Sequence, residues 1–384
     1  MSSAVARSPH RAWIEIDHEA LVHNLAALRR LAGEDRGVIA VVKANAYGHG
    51  AVQVSRTLVD HGAERLAVAT LEEGLELREA GITVPIIVLW GLGAPEAERA
   101  VAADLEPVVY DVAGIELLEH AAAACGRRAA VQLKIDSGLG RQGSAPGRAV
   151  ELALRIVRSP QLRLSGTFSH LAVPGEDEAY TDVQVLRLAQ ALDAMRSAGA
   201  DPGLVHLSAT GGLLAGAGIS GDAIRPGLGL YGMLPAWAAD RDPGLRPVLS
   251  LRALPLRIFD LPAGEAIGYG LRFRTERATR IATLGIGYGD GWPRLHANNG
   301  WVLVQGVRRP VVGAVSMDGI TVDLGDLDDV TYADEFVLIG AQMQARIDAD
   351  EVAAQRRTIN YEVTTALRDR LPRVHLPEVA TNDG

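Results

Sequence analysis

The chain has 384 residues, more than one domain usually holds, and 48% of them are apolar, so two packed domains are feasible. A net charge of -9 argues against a nucleic-acid partner, whose phosphates reward basic surfaces. Cys125 is the single cysteine, which excludes an internal disulfide and a thiolate metal cluster; the opening segment has no signal-peptide apolar run and no stretch is long enough to span a bilayer, so a soluble cytoplasmic protein is expected.

The first elements alternate. Asp17 precedes an amphipathic pattern carried by Leu21, Leu25 and Leu28, and 71–80 shows a second helical pattern. Between such stretches lie eight short apolar runs: 38–43, 66–70, 86–90, 106–110, 131–136, 162–170, 204–209 and 224–231. Each is β-branched or leucine-rich, and most are bounded by Gly, Pro or Asp, as buried parallel strands are. Eight strands alternating with helices predict an α/β fold, a (β/α)8 TIM-type barrel, over residues 1–245. An open doubly wound sheet is the alternative, but it usually shows a glycine-rich turn after its first strand, and here that strand ends in a lysine. After Pro243 the texture changes. Strands are expected at 249–259, 278–284, 301–304, 311–315, 320–324 and 335–339, with helical patterning thin until 359–368, so residues 246–384 read as a second, mostly β domain.

Lys43 closes the first barrel strand, in Val-Ile-Ala-Val-Val-Lys-Ala-Asn-Ala-Tyr-Gly-His-Gly (38–50). Barrel active sites lie where the strands end, and a lysine partly stripped of water there has a lowered pKa and a free amine nucleophile. Gly48 and Gly50 allow close backbone approach. The competing reading is a lysine that snorkels from a strand end to solvent. Position alone favours the snorkelling lysine, because a lone motif is a weak signal.

The segment 42–50, Val-Lys-Ala-Asn-Ala-Tyr-Gly-His-Gly, resembles the cofactor-lysine segment of the alanine racemase family. So, in family order, do 133–141 (Leu-Lys-Ile-Asp-Ser-Gly-Leu-Gly-Arg), 167–170 (Thr-Phe-Ser-His), 224–232 (Ile-Arg-Pro-Gly-Leu-Gly-Leu-Tyr-Gly), 267–270 (Ile-Gly-Tyr-Gly), 287–292 (Gly-Tyr-Gly-Asp-Gly-Trp), 316–318 (Ser-Met-Asp) and 358–362 (Thr-Ile-Asn-Tyr-Glu). The resemblance implies a pyridoxal 5'-phosphate barrel with a β domain, working as a head-to-tail homodimer on a small amino acid, with alanine the expected substrate and D-alanine for peptidoglycan the expected product. It assigns the two proton carriers to Lys43 and Tyr269, the latter supplied by the partner subunit. His170 and Arg225 belong to the supporting network, with Arg225 facing the pyridine nitrogen. Tyr47, Thr210, Tyr361 and the backbone at Gly227 and Leu228 would hold the phosphate. Arg141, Met317 and Tyr288 would meet the substrate. Lys134 matches a lysine that is often carbamylated, and the competing reading is an unmodified lysine paired with Asp136.

The chain departs from the family pattern at Ala209, where an amide is usual, and at Ser316, where cysteine is common. Gly175 and Ala314 stand where a charged pair usually narrows the entrance, which implies room for serine or another small amino acid, unless neighbouring side chains fill the gap. Arg294 and Ile359 match the remaining corridor positions. A decarboxylase of the same architecture is disfavoured by Arg225, because its pyridine partner would be acidic. A non-catalytic carrier of the cofactor would need the barrel alone. No metal site is expected: His49, His206 and His296 lack ligand spacing and read as structural histidines, and the glycine-rich 285–291 lacks the strand–loop–helix setting of a nucleotide loop.

Overall fold

The computed structural model describes residues 10–218 and 221–377. The chain divides into two compact units, one of Ala20–Ala46 and Gly50–Arg246, the other of the residues up to Glu19, Tyr47–His49 and those from Pro247 on.

The first strand, β1 (Ala12–Asp17), was expected to travel with the barrel portion, 1–245. It belongs to the second unit instead, pairing antiparallel with Leu249–Ala253 and parallel with Arg373–Leu376.

The barrel is β2 (Gly37–Val41), β3 (Arg65–Val68), β4 (Ile86–Val88), β5 (Glu106–Val109), β6 (Ala129–Lys134), β7 (Leu162–Phe168), β8 (Leu204–His206) and β9 (Ala223–Ile224), closed in that order. All neighbours run parallel. The strands are continuous apolar runs because helices cover them outside and side chains fill them inside. The helix Leu71–Glu79 begins where expected, with Thr70 and Glu73 forming a reciprocal cap. The last strand is shorter than the run 224–231 implied. Pro226 has no N–H to give a ladder, and the chain turns through a short 3-10 segment, Leu228–Tyr231.

The second unit is built on a ten-stranded sheet. Its path runs Pro255–Leu261, Thr279–Leu284, Ile320–Gly325, Val307–Val312, Gly300–Val304, Phe336–Gln342, Leu249–Ala253, β1 and Arg373–Leu376, with Ala345–Ile347 beside Phe336–Gln342. The run expected as one strand at 249–259 is two, split before Pro255. A helix, Ala349–Arg356, was not legible in the hydrophobic pattern; Asp348 caps it by accepting from the Glu351 N–H at 2.8 Å.

Within the barrel unit, the helix His18–Ala32 buries Leu21, Leu25 and Leu28, as their spacing predicted. Asn24 on the same helix is fully buried. Its amide nitrogen donates to the Leu230 carbonyl at 3.0 Å and the Arg246 carbonyl at 2.7 Å, and its oxygen accepts from the Arg246 N–H at 2.7 Å. Asn24 therefore satisfies backbone groups of the segment that leaves the barrel. Replacing Asn24 by Ala strands those groups and should lower the unfolding free energy by about 1–3 kcal/mol. Denaturant unfolding checks this, and an unchanged midpoint would show that water replaces the side chain at no cost.

Candidate active site

The groups singled out in the barrel gather at one end of it. Lys43 lies two residues past Val41 of β2, Lys134 is the last residue of β6, His170 is two past Phe168 of β7, and Arg225 directly follows Ile224 of β9. This is the C-terminal end of the strands, where barrels carry their chemistry.

Lys43 begins a helical turn, Lys43–Gly48, of left-handed sense: φ is 53, 53, 52 and 55° at Ala44, Asn45, Ala46 and Tyr47. Four consecutive non-glycine residues in that region cost roughly 1–2 kcal/mol each, so the surroundings must hold them. Glu73, already capping its own helix, accepts from the Ala44 N–H at 2.6 Å. Asn45 turns its side-chain oxygen to the Ala51 N–H at 2.7 Å. Gly48 ends the turn with φ of 87°, and a Cβ there would lie 2.2 Å from the Thr364 carbonyl oxygen, so close backbone approach does require glycine.

Electrostatically the barrel end is rich in cations. Burial lowers the pKa of Lys43, and the charges of Arg141 and Arg225 lower it further, while Glu73 opposes them. Lys134 is brought down to about 8 by burial first and then by Arg141 and Arg225, with Asp136 opposing. Its Nζ donates to Gln142 Oε1 at 3.1 Å, and it lies 5.6 Å from the centre of the Phe168 ring. His170 falls to about 3, again through burial first and then Arg225, and is a neutral imidazole at any working pH. Arg225 is buried and donates through Nη2 to His170 Nδ1 at 3.1 Å and the Ser169 carbonyl at 3.0 Å, and through Nη1 to His206 Nδ1. Arg141 is exposed and sits 5.6 Å over the Trp90 ring. Thr210 Oγ1 accepts the Gly227 N–H at 3.3 Å and the Gly229 N–H at 3.1 Å, so the backbone expected to bind an anion at Gly227 is engaged by that hydroxyl, and Leu228 lies between the two.

The remaining candidates belong to the second unit. The rings of Tyr47 and Tyr361 lie 6.1 Å apart, and burial raises the pKa of the Tyr361 phenol. The backbone of Ser316 and Met317 accepts the N–H groups of Tyr288 and Gly289 at 3.0 and 2.8 Å, which places Tyr288 beside Met317. Tyr269 is 77% exposed on a short turn, and Ala314 is close to its neighbour Gly268. His49 and His296 are buried, as structural histidines are. His206 was read the same way, yet it touches Arg225. The residues that sequence reasoning missed are inward-facing polar side chains on barrel strands, Glu106 and Gln132. Their one visible signal is a polar residue inside an apolar run.

Similarity to known proteins agrees with this geometry. A profile of the alanine racemase N-terminal domain matches residues 16–235, and one of the alanine racemase C-terminal domain matches residues 248–375. The chain belongs to the alanine racemase family. It is 39% identical over 366 residues to an alanine racemase of Synechocystis, covering 95% of this chain and 98% of that one. It is 37% identical over 362 residues to one of Halothermothrix orenii, covering 94% and 96%. Among solved structures it resembles alanine racemase from D-cycloserine-producing Streptomyces lavendulae, with a TM-score of 0.89, 36% identity and coverage of 96% and 98%. The Bartonella henselae alanine racemase solved with covalently bound pyridoxal phosphate aligns with a TM-score of 0.83, 29% identity and coverage of 96% and 100%.

One family departure has a structural explanation. The position of Gly175 does not leave space. A Cβ there would lie 2.4–2.6 Å from the six-membered ring of Trp237, which also reaches within 3.8 Å of a Cβ built on Gly211. Gly175 has φ of 81° as well. The neighbouring indole has filled the gap on the barrel side. Gly175→Asp should therefore lower the melting temperature, by an amount typical of overpacking, ~1–3 kcal/mol in free energy. Adding Trp237→Ala should recover part of the loss; equal melting temperatures for wild type and Gly175→Asp would show that the indole moves aside freely.

Proposed function

We propose that this chain interconverts L- and D-alanine, as a pyridoxal 5'-phosphate enzyme of the isomerase class. The observation that carries this reading is the cation-rich barrel end, where burial and the charges of Arg141 and Arg225 disfavour protonation of Lys43 and Lys134. Such a donor set fits an anionic phosphate, a phenolic oxygen and a substrate carboxylate, and a lysine of lowered pKa fits covalent attachment. Pyridoxal phosphate, when bound, supplies the electron sink that lets the Cα–H bond of an amino acid ionise.

The chain's own residues then do the rest. Lys43 carries the cofactor and holds the proton at one face of Cα through Nζ. Tyr269 holds it at the other face through its phenol oxygen. The 77% exposure of Tyr269 in a single chain is what a phenol that serves a partner's site requires, and it supports a homodimer with shared sites. Tyr47, Thr210, Tyr361 and the backbone at Leu228 would hold the phosphate, with Gly227 joining them if its N–H leaves Thr210 Oγ1, and His170 and Arg225 would meet the ring. Arg225 cannot give up its proton, so a pyridine nitrogen facing it stays unprotonated, which favours proton exchange over decarboxylation. By resemblance to the family, Arg141 would meet the substrate from the barrel, and Met317 and Tyr288 are the candidates offered by the second unit of a chain. Trp237 packed on Gly175 closes one side that the sequence left open, and favours alanine over serine or a larger amino acid. A cytoplasmic supply of D-alanine for peptidoglycan is the corresponding role.

Purified protein given pyridoxal phosphate and L-alanine should produce D-alanine by chiral chromatography, with no carbon dioxide released; carbon dioxide without D-alanine would establish a decarboxylase. Borohydride reduction and peptide mapping should place the label on Lys43, and label on Lys134 would overturn the assignment. Inactive Lys43→Ala mixed with inactive Tyr269→Phe should regain part of the activity, since one hybrid site carries both native residues. No recovery after verified subunit exchange would put both groups in one chain. Lys134, titrating near 8, has a reactive neutral fraction at neutral pH, and its carbamate would supply an anion to hold Arg141. With 13C-bicarbonate, a carbamate resonance should strengthen as the pH rises toward about 8 and disappear in Lys134→Met. A resonance that persists in that variant would belong to another amine.

A further inference from the structure

A continuous line of polar side chains runs through the interior of the barrel to Arg225. Arg65 Nη1 donates to Glu106 Oε1 at 2.7 Å, and Ser165 Oγ donates to the same oxygen at 2.9 Å. Gln132 Nε2 donates to Glu106 Oε2 at 2.6 Å. Gln132 Oε1 lies 3.3 Å from His206 Nε2, and His206 Nδ1 meets Arg225 Nη1. Gln132 and His206 are fully buried, Arg225 is 3% and Glu106 4% exposed. The four sit on different parts of the barrel wall: β5, β6, β8 and the residue after β9.

Donor and acceptor rules leave this line one polarity. A guanidinium has donors only, so His206 Nδ1 must be bare and accept. A neutral imidazole then carries its hydrogen on Nε2 and donates it to the Gln132 carbonyl oxygen. The Gln132 amide nitrogen is thereby turned to the Glu106 carboxylate. Flipping the Gln132 amide would break both ends together, setting donor against donor at His206 and acceptor against acceptor at Glu106. Arg225 at one end, with donors only, and Glu106 at the other, an acceptor anchored by Arg65 and Ser165, impose the same direction. His206 is further confined by stacking on Phe168, with centroids 4.6 Å apart and planes 8° apart, and Arg225 lies 5.0 Å over the same ring. A second proton on His206 would point an N–H at the guanidinium, and burial with the charge of Arg225 pushes the imidazole pKa well down.

We propose that Glu106 and Gln132 are positioning residues for the reaction: through His206, locked as the Nε2–H tautomer, they aim the Arg225 guanidinium at the barrel mouth. This rests on the reading of Arg225 as the group that meets the cofactor ring. Neither Glu106 nor Gln132 touches substrate or cofactor. Their part is to keep an acceptor, and never a donor, against Arg225 Nη1, so that the guanidinium is held in one geometry.

Gln132→Met keeps the volume and removes the polarity. In 15N-histidine spectra of the protein, with and without cofactor, native His206 should show a protonated Nε2 and a bare Nδ1 that does not titrate across the stable pH range. In Gln132→Met the buried Nε2–H loses its acceptor while Arg225 still keeps Nδ1 bare, so the Nε2–H resonances should shift, the visible band of the bound cofactor should shift as the ring and the guanidinium lose their fixed setting, and kcat should fall about tenfold in both directions with KM little changed. A variant whose cofactor band matches the native one would overturn the proposal, even if activity and melting temperature fell together, because that is what a purely structural role gives. If Gln132→Met does not fold, Glu106→Gln, which keeps the shape and removes the charge, carries the same readouts, with the same results supporting or overturning the proposal. The tautomer measurement on cofactor-free protein stands apart from the activity. A native enzyme that racemises nothing while its His206 is locked would refute the functional reading and leave the relay intact.

Discussion

Arg225 is a permanent cation sealed inside the end of a barrel, and much of that unit is arranged to tolerate it. Its hydrogen bonds go to His170, His206 and the backbone carbonyl of Ser169, and its flat face to Phe168. Both imidazoles are held neutral by the burial and charge that Arg225 helps to create. Burial first, and then the charges of Arg225 and Arg141, bring His170 down to about 3 and Lys134 to about 8. The buried guanidinium thus reinforces what burial does to its neighbours, and the deficit of negative charge that it leaves is the property a phosphate and a carboxylate ligand would answer.

The barrel makes that arrangement possible because it delivers side chains from distant parts of the sequence to one end. Lys43, Lys134, His170 and Arg225 span 182 positions of sequence yet follow four strand ends (225 - 43 = 182). Precision comes from elements that are poor choices locally. The left-handed turn after Lys43 is unfavourable for its non-glycine residues, and it persists because Glu73 takes the Ala44 N–H, Asn45 ties the turn to the Ala51 N–H of the next helix, and Gly48 ends it against the Thr364 carbonyl. Backbone strain of this kind fixes where the lysine starts its reach.

Trp237 and Gly175 show a different logic. A position that loses a side chain in sequence need not gain space, because cores close to native packing density when a neighbour can enter. The indole does so here, and the left-handed φ of Gly175 means that the backbone had already adapted to glycine.

The hydrophobic rhythm of the chain determined the eight-stranded barrel, the change to β structure after Pro243 and the residues of the helix face at Leu21, Leu25 and Leu28, because these depend on periodicity and on short-range steric rules. The resemblance of local motifs to the alanine racemase family made Lys43, Arg225, His170 and Tyr269 legible as candidates, which the residues by themselves did not. Tertiary structure alone decided that β1 joins the second unit, since ladder pairing is a choice among distant partners with similar alternation. It alone revealed the inward line of Glu106, Gln132 and His206: an isolated polar residue in an apolar strand looks the same whether it meets solvent, a core water or another such residue. It alone placed Trp237 on Gly175, 62 positions away in sequence (237 - 175 = 62). Periodicity carries the direction in which a side chain points, and the contacts it makes across the fold depend on closure of the barrel, which no segment of the sequence contains by itself.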